Sequence, residues 1–359
     1  MTELPNTTKS HLANPVAGPG RWRSFARFAL AGTVFYIAGP IAATLQGLIT
    51  HGDLSQLLYH VFLLALLLVG FSLMGMVLDG QDEPFKAMGF VKRATAWQEW
   101  GLGAALGWGM VVLAVLPMAV TGAMRTILWT EPRAFWLFAI NLGVLAVAAL
   151  AEEVTFRGYP FQRLIEAAGP TTATVIMSVF FGVVHIWNTD ASLISVLVTM
   201  LAGVLLSLAY LRTRALWLPW GLHLAWNLSM GAILGLPVSG FTDFSTIIQT
   251  QTVGAHWLTG GAYGPEAGLF TFLVLIAGTI VLVRVTRDYA WEYTHTPIVA
   301  AGYAVDVEPP KAHVEMEAKA AAAPQLVQIA ASTSLDASLH SKELLPELPK
   351  GPLGQDAGE

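Results

Sequence analysis

Eight mostly apolar stretches dominate this sequence, near 25–49, 55–78, 98–121, 134–157, 173–190, 191–211, 215–234 and 266–285. A helix crosses the hydrocarbon core of a bilayer with about 20 apolar residues, because every backbone N–H and C=O must there find its partner inside the segment. Eight such runs predict an all-α fold, a polytopic membrane bundle of about eight transmembrane helices. The charge content agrees, since 12% of the 359 residues are charged against about 25% in soluble domains. Arg21, Arg23 and Arg27 precede the first run, but its length exceeds the apolar core of a cleaved signal peptide, so it is expected to stay as a span.

Charge also divides the chain. Residues 1–296 hold 15 Lys+Arg and 15 Asp+Glu, whereas 297–359 hold 4 and 9, so the net charge of −5 lies in the tail. Three regions follow: a Pro, Gly, Asn and Thr rich N-terminus over 1–20, a bundle over 21–296, and an acidic, Ala/Pro-rich tail over 297–359. Both ends read as disordered. With the N-terminus inside, 17 of the 19 Lys and Arg fall on the cytoplasmic side and only Arg125 and Arg133 outside, which predicts cytoplasmic termini and an even number of spans in the cell membrane. The 235–265 connection has no Lys or Arg and reads as an external loop with some interfacial structure. Without Cys there is no disulfide framework, thiolate metal site or thiol nucleophile. The neutral body offers no basic surface for nucleic acid; the lipid bilayer and a peptide or lipid-modified protein substrate are the expected partners, and oligomeric state is not legible.

Polar side chains at membrane depth cost several kcal/mol unless paired or hydrated, and three clusters stand out. In AEEVTFRGYP, Glu153 and Arg157 are spaced i,i+4 and can pair. Glu152, about 100° away around the helix, then lacks a local counter-charge. It suits general acid or base work; a helix-end ion pair at the interface is the plain alternative. FFGVVHIWN sets Phe181 and His185 one turn apart, and LPWGLHLAWN puts His223 and Asn227 on one face, where interhelical hydrogen bonds would also explain them. Pro219 and Gly221 are expected to loosen the helix before His223.

By a rise of ~1.5 Å per residue, Glu152 and His223 lie at matching depths, ~9 and ~12 Å from the inner ends of their spans, and His185 at ~18 Å is deeper. Meeting requires span five to begin a turn later, to tilt, or to enter through a half-buried elbow. One carboxylate, two imidazoles and an amide suit acyl-bond hydrolysis. Either Glu152 and His185 activate water while His223 and Asn227 hold the oxyanion, or Glu152, His185 and His223 bind Zn²⁺ and leave one position open.

EExxxR (Glu152, Glu153, Arg157), FxxxH (Phe181, His185) and HxxxN (His223, Asn227), in that order on consecutive segments, resemble the three motifs of the CAAX prenyl protease type II and bacteriocin-processing (CPBP) family of intramembrane endopeptidases. The resemblance covers roughly 80–235. It implies an eight-helix bundle that cleaves peptide bonds in or near the membrane. By motif match Glu152 with His185 would activate water, Glu153 and Arg157 would support the site, and His223 and Asn227 would bind the oxyanion, or His223 a metal. Eukaryotic members trim prenylated CAAX proteins; many bacterial relatives are thought to act in bacteriocin processing, self-immunity or surface-protein handling. Other intramembrane proteases fit poorly. HExxH is absent, PVSG at 237–240 is not GxSG, and no span interior holds an Asp. The rival readings are a non-catalytic immunity or scaffold protein that binds a peptide in the same cavity, and a proton-coupled transporter.

Overall fold

The structure, a computed structural model, describes residues 20–242 and 244–286. The tails expected to be disordered, 1–20 apart from its last residue and 297–359, lie outside the described residues. In chain order the elements are α1 (Arg21–Ile49), α2 (Ser55–Asp79), α3 (Pro84–Ala87), α4 (Ala96–Val120), β1 (Met124–Leu128), α5 (Pro132–Arg157), α6 (Tyr159–Ala168), α7 (Pro170–Val184), α8 (Leu193–Thr213), α9 (Trp217–Asn227), β2 (Ile248–Thr252), α10 (His256–Thr259) and α11 (Leu269–Val285).

Each of the eight apolar runs is helical, and the molecule is an all-α bundle. Six helices among the described residues are long and apolar enough to cross a membrane: α1, α2, α4, α5 continued through α6, α7 continued to Trp187, and α8. The last two expected spans are shorter. α11 has 17 residues, and α9 has 11 residues followed by six in a π-helical turn, Leu228–Ile233. Large apolar side chains such as Tyr36, Leu48, Val77, Val120 and Leu193 project outward from α1, α2, α4 and α8. Helices apolar on all sides suit a lipid surround.

The elements that hold the polar motifs are set by small residues and breaks. α4 packs along α9, with Gly103 and Gly107 facing the carbonyls of Leu218 and Leu222, and Gly221 facing the carbonyl of Trp100. A Cβ at any of the three would overlap backbone. This GxxxG contact lets two helices approach closely, so Gly221, expected to loosen its helix, instead seats it. Gly103→Val and Gly107→Val are each expected to lower stability by about 3 kcal/mol or more, since an added side chain would have to displace backbone. Thermal unfolding of the detergent-solubilised chain measures it. On the other side of the bundle, Gly182 of α7 lies against Met200 and Val196 of α8, and Gly203 of α8 lies against Ser178 of α7.

Between α5 and α7 the chain turns through α6. Gly158 and Pro160 interrupt α5. Gly169, in the left-handed region at φ 84°, and Pro170 then start α7, a Gly and Pro punctuation that fits helix ends. Residues 159–166 are all buried. Of the three routes by which span five was expected to meet the others, the later start does not occur, since α7 begins at Pro170, and a buried elbow precedes it. The connection after α9 is not plain loop: β2 pairs antiparallel with β1, Met124 opposite Thr252 through Leu128 opposite Ile248.

Away from the three motifs, the fold pairs other charges near helix ends and in connections. A second buried group ties α1, α2 and α6 together. Arg163 bridges Asp79 at 3.1 Å and Glu166 at 2.9 Å, Arg27 pairs with Asp79, and Ser24 Oγ donates to Glu166 Oε2 at 2.7 Å. Glu99, fully buried, pairs with Arg93 and accepts from Thr95 Oγ1 at 2.8 Å. These charges lie at helix ends, where they lock elements to one another.

Candidate active site

The last turn of α5 presents its two carboxylates in different environments. Glu153 is fully buried and its Oε1 accepts from Arg157 Nη1 at 3.2 Å and from His223 Nδ1 at 2.7 Å. Arg157, also fully buried, donates through Nη2 to the Gly203 carbonyl at 3.1 Å and lies with its guanidinium 4.7 Å from the Phe181 ring centre. The i,i+4 pair read from the spacing therefore exists, and it is joined to α7 and α8 as well as to α9. A buried Arg needs such partners, since it cannot shed its proton.

Glu152 points away from that pair. Its side chain is 38% exposed, and Oε2 lies 3.7 Å from His223 Nε2, beyond hydrogen-bond length. The same Oε2 is buried and, like Oε2 of Glu153, has no hydrogen-bond partner among the described residues. The imidazole in contact with Glu152 is thus that of His223, whose two ring nitrogens face the two glutamates in turn.

His185 sits where α7 gives way to a 3₁₀ turn, His185–Trp187. Asn188 is extended, Asp190 is left-handed at φ 57°, and Ser192 caps α8 through a reciprocal bond with Ser195. That break is what stops His185 from continuing up the helix. His185 Nδ1 bonds the Phe181 carbonyl at 2.6 Å, which leaves Nε2 as its free nitrogen. Phe181 stands between the imidazoles, 4.8 Å from the His185 ring and 6.1 Å from the His223 ring, centre to centre.

His185, His223 and Asn227 line one cavity of about 50 Å³, walled by Leu205, Leu222 and Leu275. That holds a few waters at roughly 10–15 Å³ each. Glu266 and Ser239 line it too. Neither was singled out in the sequence, because Glu266 opens an apolar run and reads as an interface charge. Its partners tell otherwise: Oε1 accepts from Trp226 Nε1 at 2.8 Å, and Oε2 from Ser239 Oγ at 2.9 Å and from the Ser239 backbone N–H.

The zinc alternative finds no such support in the donor set. Among the described residues no three His, Asp or Glu side chains are gathered to hold a metal ion; Nδ1 of each imidazole is engaged, so any metal would have to be met by Nε2.

Residues 132–229, from the start of α5 to just past Asn227, match the family described as type II CAAX prenyl endopeptidase Rce1-like. No curated protein and no solved structure matches the chain. The matched segment contains every residue of the three motifs and ends before Ser239 and Glu266.

Proposed function

We propose, from the match of the 132–229 segment of this membrane protein to the Rce1-like family of type II CAAX prenyl endopeptidases, that the chain is an intramembrane endopeptidase working through a glutamate-activated water. One observation carries this reading. Each of the two adjacent carboxylates keeps a buried Oε2 with no hydrogen-bond partner among the described residues, but Glu153 is fully buried with Oε1 held by Arg157 and His223, while Glu152 is 38% exposed and open to a reactant. A desolvated acceptor without a donor is costly, and a water or a substrate amide would satisfy it.

In this reading Glu152 takes one proton from a water as the water oxygen bonds to the peptide carbonyl carbon. The carbonyl π pair moves to its oxygen, and the oxyanion accepts hydrogen bonds from Asn227 and from His223, which, with Nδ1–H given to Glu153, donates through Nε2 as an imidazolium; both residues share the cavity wall. His185, with Nε2 free, holds the water on its other side. Collapse re-forms the carbonyl and breaks the C–N bond, and Glu152 returns its proton to the departing amine. Glu153 and Arg157 touch no reacting atom; they hold His223 Nδ1, and with it the direction of Nε2. No step needs a metal.

Substrates are peptides of membrane-associated or lipid-modified proteins, the site being set in apolar helices. With the charged connections 80–95, 158–169 and 214–216 on the cytoplasmic side, both termini are cytoplasmic and the chain lies in the cell membrane. The test reconstitutes the full chain in vesicles and follows cleavage of prenylated and unmodified reporter peptides, with and without a strong chelator. Turnover that survives chelation is the expected result. Loss with chelator and recovery with Zn²⁺ would replace this mechanism, and absence of cleavage of any reporter would favour the scaffold reading.

A further inference from the structure

We infer that Glu266 is a positioning residue, the clamp that fastens a strap of chain, residues 236–241, over the cavity and so fixes the His185 turn and the Asn227 end of α9 relative to each other. The strap is a tight turn closed by paired backbone bonds between Val238 and Phe241. Leu236 N–H donates to the Met230 carbonyl and Gly240 N–H to the Tyr263 carbonyl, both at 3.0 Å. At its tip Ser239 adopts a left-handed backbone, φ 50°. A non-glycine residue occupies that region at a cost unless its surroundings demand it.

The demand comes from both sides. Ser239 gives its N–H and its Oγ to one oxygen of Glu266, and its carbonyl accepts from Asn188 Nδ2 at 3.0 Å. Asn188 is three residues past His185 and stands just outside the 3₁₀ turn. The other oxygen of Glu266 takes Trp226 Nε1, the neighbour of Asn227. One carboxylate therefore links the α11 entrance, the strap and α9, and through Ser239 it reaches the segment that carries His185. Asn188, Trp226, Ser239 and Glu266 have no reacting atom among their contacts, and neither Ser239 nor Glu266 lies within the family-matched segment. Hydrogen bonds to a charged acceptor are shorter and stronger than neutral ones, and three of them converge on this carboxylate.

The natural absence of Cys makes the clamp directly testable. Two single-cysteine reporters are built in the full chain in vesicles: Ala202→Cys on the cavity wall and Ser178→Cys, buried between α7 and α8. Each is combined with Glu266→Ala and, separately, with the isosteric Glu266→Gln. Loss of the clamp is expected to raise the labelling rate of Ala202→Cys by a thiol reagent about tenfold, the shift that one lost charged hydrogen bond gives an opening equilibrium. Ser178→Cys should stay protected. The turnover readout alone rests on the peptidase reading: kcat should fall about 10–100-fold with KM within about threefold, as for misplaced catalytic groups. Equal Ala202→Cys labelling with and without Glu266 would overturn the inference whether or not any peptide is cleaved. So would parallel deprotection of both reporters, which would mean general loosening. Where Glu266→Ala does not purify, Glu266→Gln carries the same comparison, because its amide cannot accept at both ends.

Discussion

Glu152→Gln is expected to reduce kcat about 10²–10⁴-fold, the usual contribution of a general base, while thermal unfolding stays within about 0.5 kcal/mol of the parent, as for a change that removes no bond within the protein. Both halves of that expectation come from the same contacts. The amide has the shape of the carboxylate and fills the same half-exposed place at the end of α5. No hydrogen bond reaches Glu152 Oε2 among the described residues, and His223 Nε2 stands off at 3.7 Å, so little folding energy is at stake. What the amide lacks is the ability to take a proton from water. Single-turnover cleavage by parent and variant in vesicles, alongside a melting curve for each, separates the two effects. A variant that cleaves at the parental rate would remove Glu152 from the mechanism and leave the cavity as a binding site. A variant that loses turnover and stability together would mean that the carboxylate is structural.

How far this site was legible depends on the range of the interactions that make it. The Glu153–Arg157 pair needed only helix geometry, because i,i+4 neighbours meet wherever the helix runs. His223 and Asn227 on one wall of the cavity follow from the same rule. The partner of His223 did not. That Glu153 rather than Glu152 takes Nδ1 is decided by how α5 and α9 rotate against each other, and that rotation rests on Gly103, Gly107 and Gly221 meeting carbonyls across the interface. The spacing of those glycines is visible in the sequence, but their facing helix is not. His185 shows the opposite case: its depth pointed to an irregular path, and the structure supplies the α6 elbow below it and a 3₁₀ break at it. Glu266 was illegible because its partners, Trp226 and Ser239, come from separate stretches and offer only an indole N–H, a hydroxyl and a backbone N–H. None of these marks a carboxylate's partner by composition. The same holds for Asp79, whose cations Arg27 and Arg163 arrive from the first and sixth helices.

Glu153→Ala is expected to cost about 3–5 kcal/mol of stability, because it strands a buried guanidinium, and to abolish turnover with it. Arg157 has no exposed surface, and after the loss it keeps the Gly203 carbonyl and the faces of Phe156 and Phe181 but no directly paired carboxylate. His223 loses its acceptor at the same time, so its ring is free to turn and Nε2 is no longer aimed. A second variant separates these two consequences. In Glu153→Gln with Arg157→Met both charges of the pair disappear together, and the glutamine oxygen can still accept from His223 Nδ1. Removing a buried pair as a unit is often close to neutral; the lost Arg157 bond to the Gly203 carbonyl is expected to leave a deficit of about 1 kcal/mol. Urea or thermal unfolding in detergent should therefore place the double variant far above Glu153→Ala. Turnover should recover in part as well, since the imidazole is again held although the local charge has changed. If stability returns and turnover does not, the charge of the pair, and not only its hold on His223, acts in the reaction. If neither returns, the ion pair itself is what seats α5 against α7, α8 and α9, and the positioning role assigned to Glu153 fails.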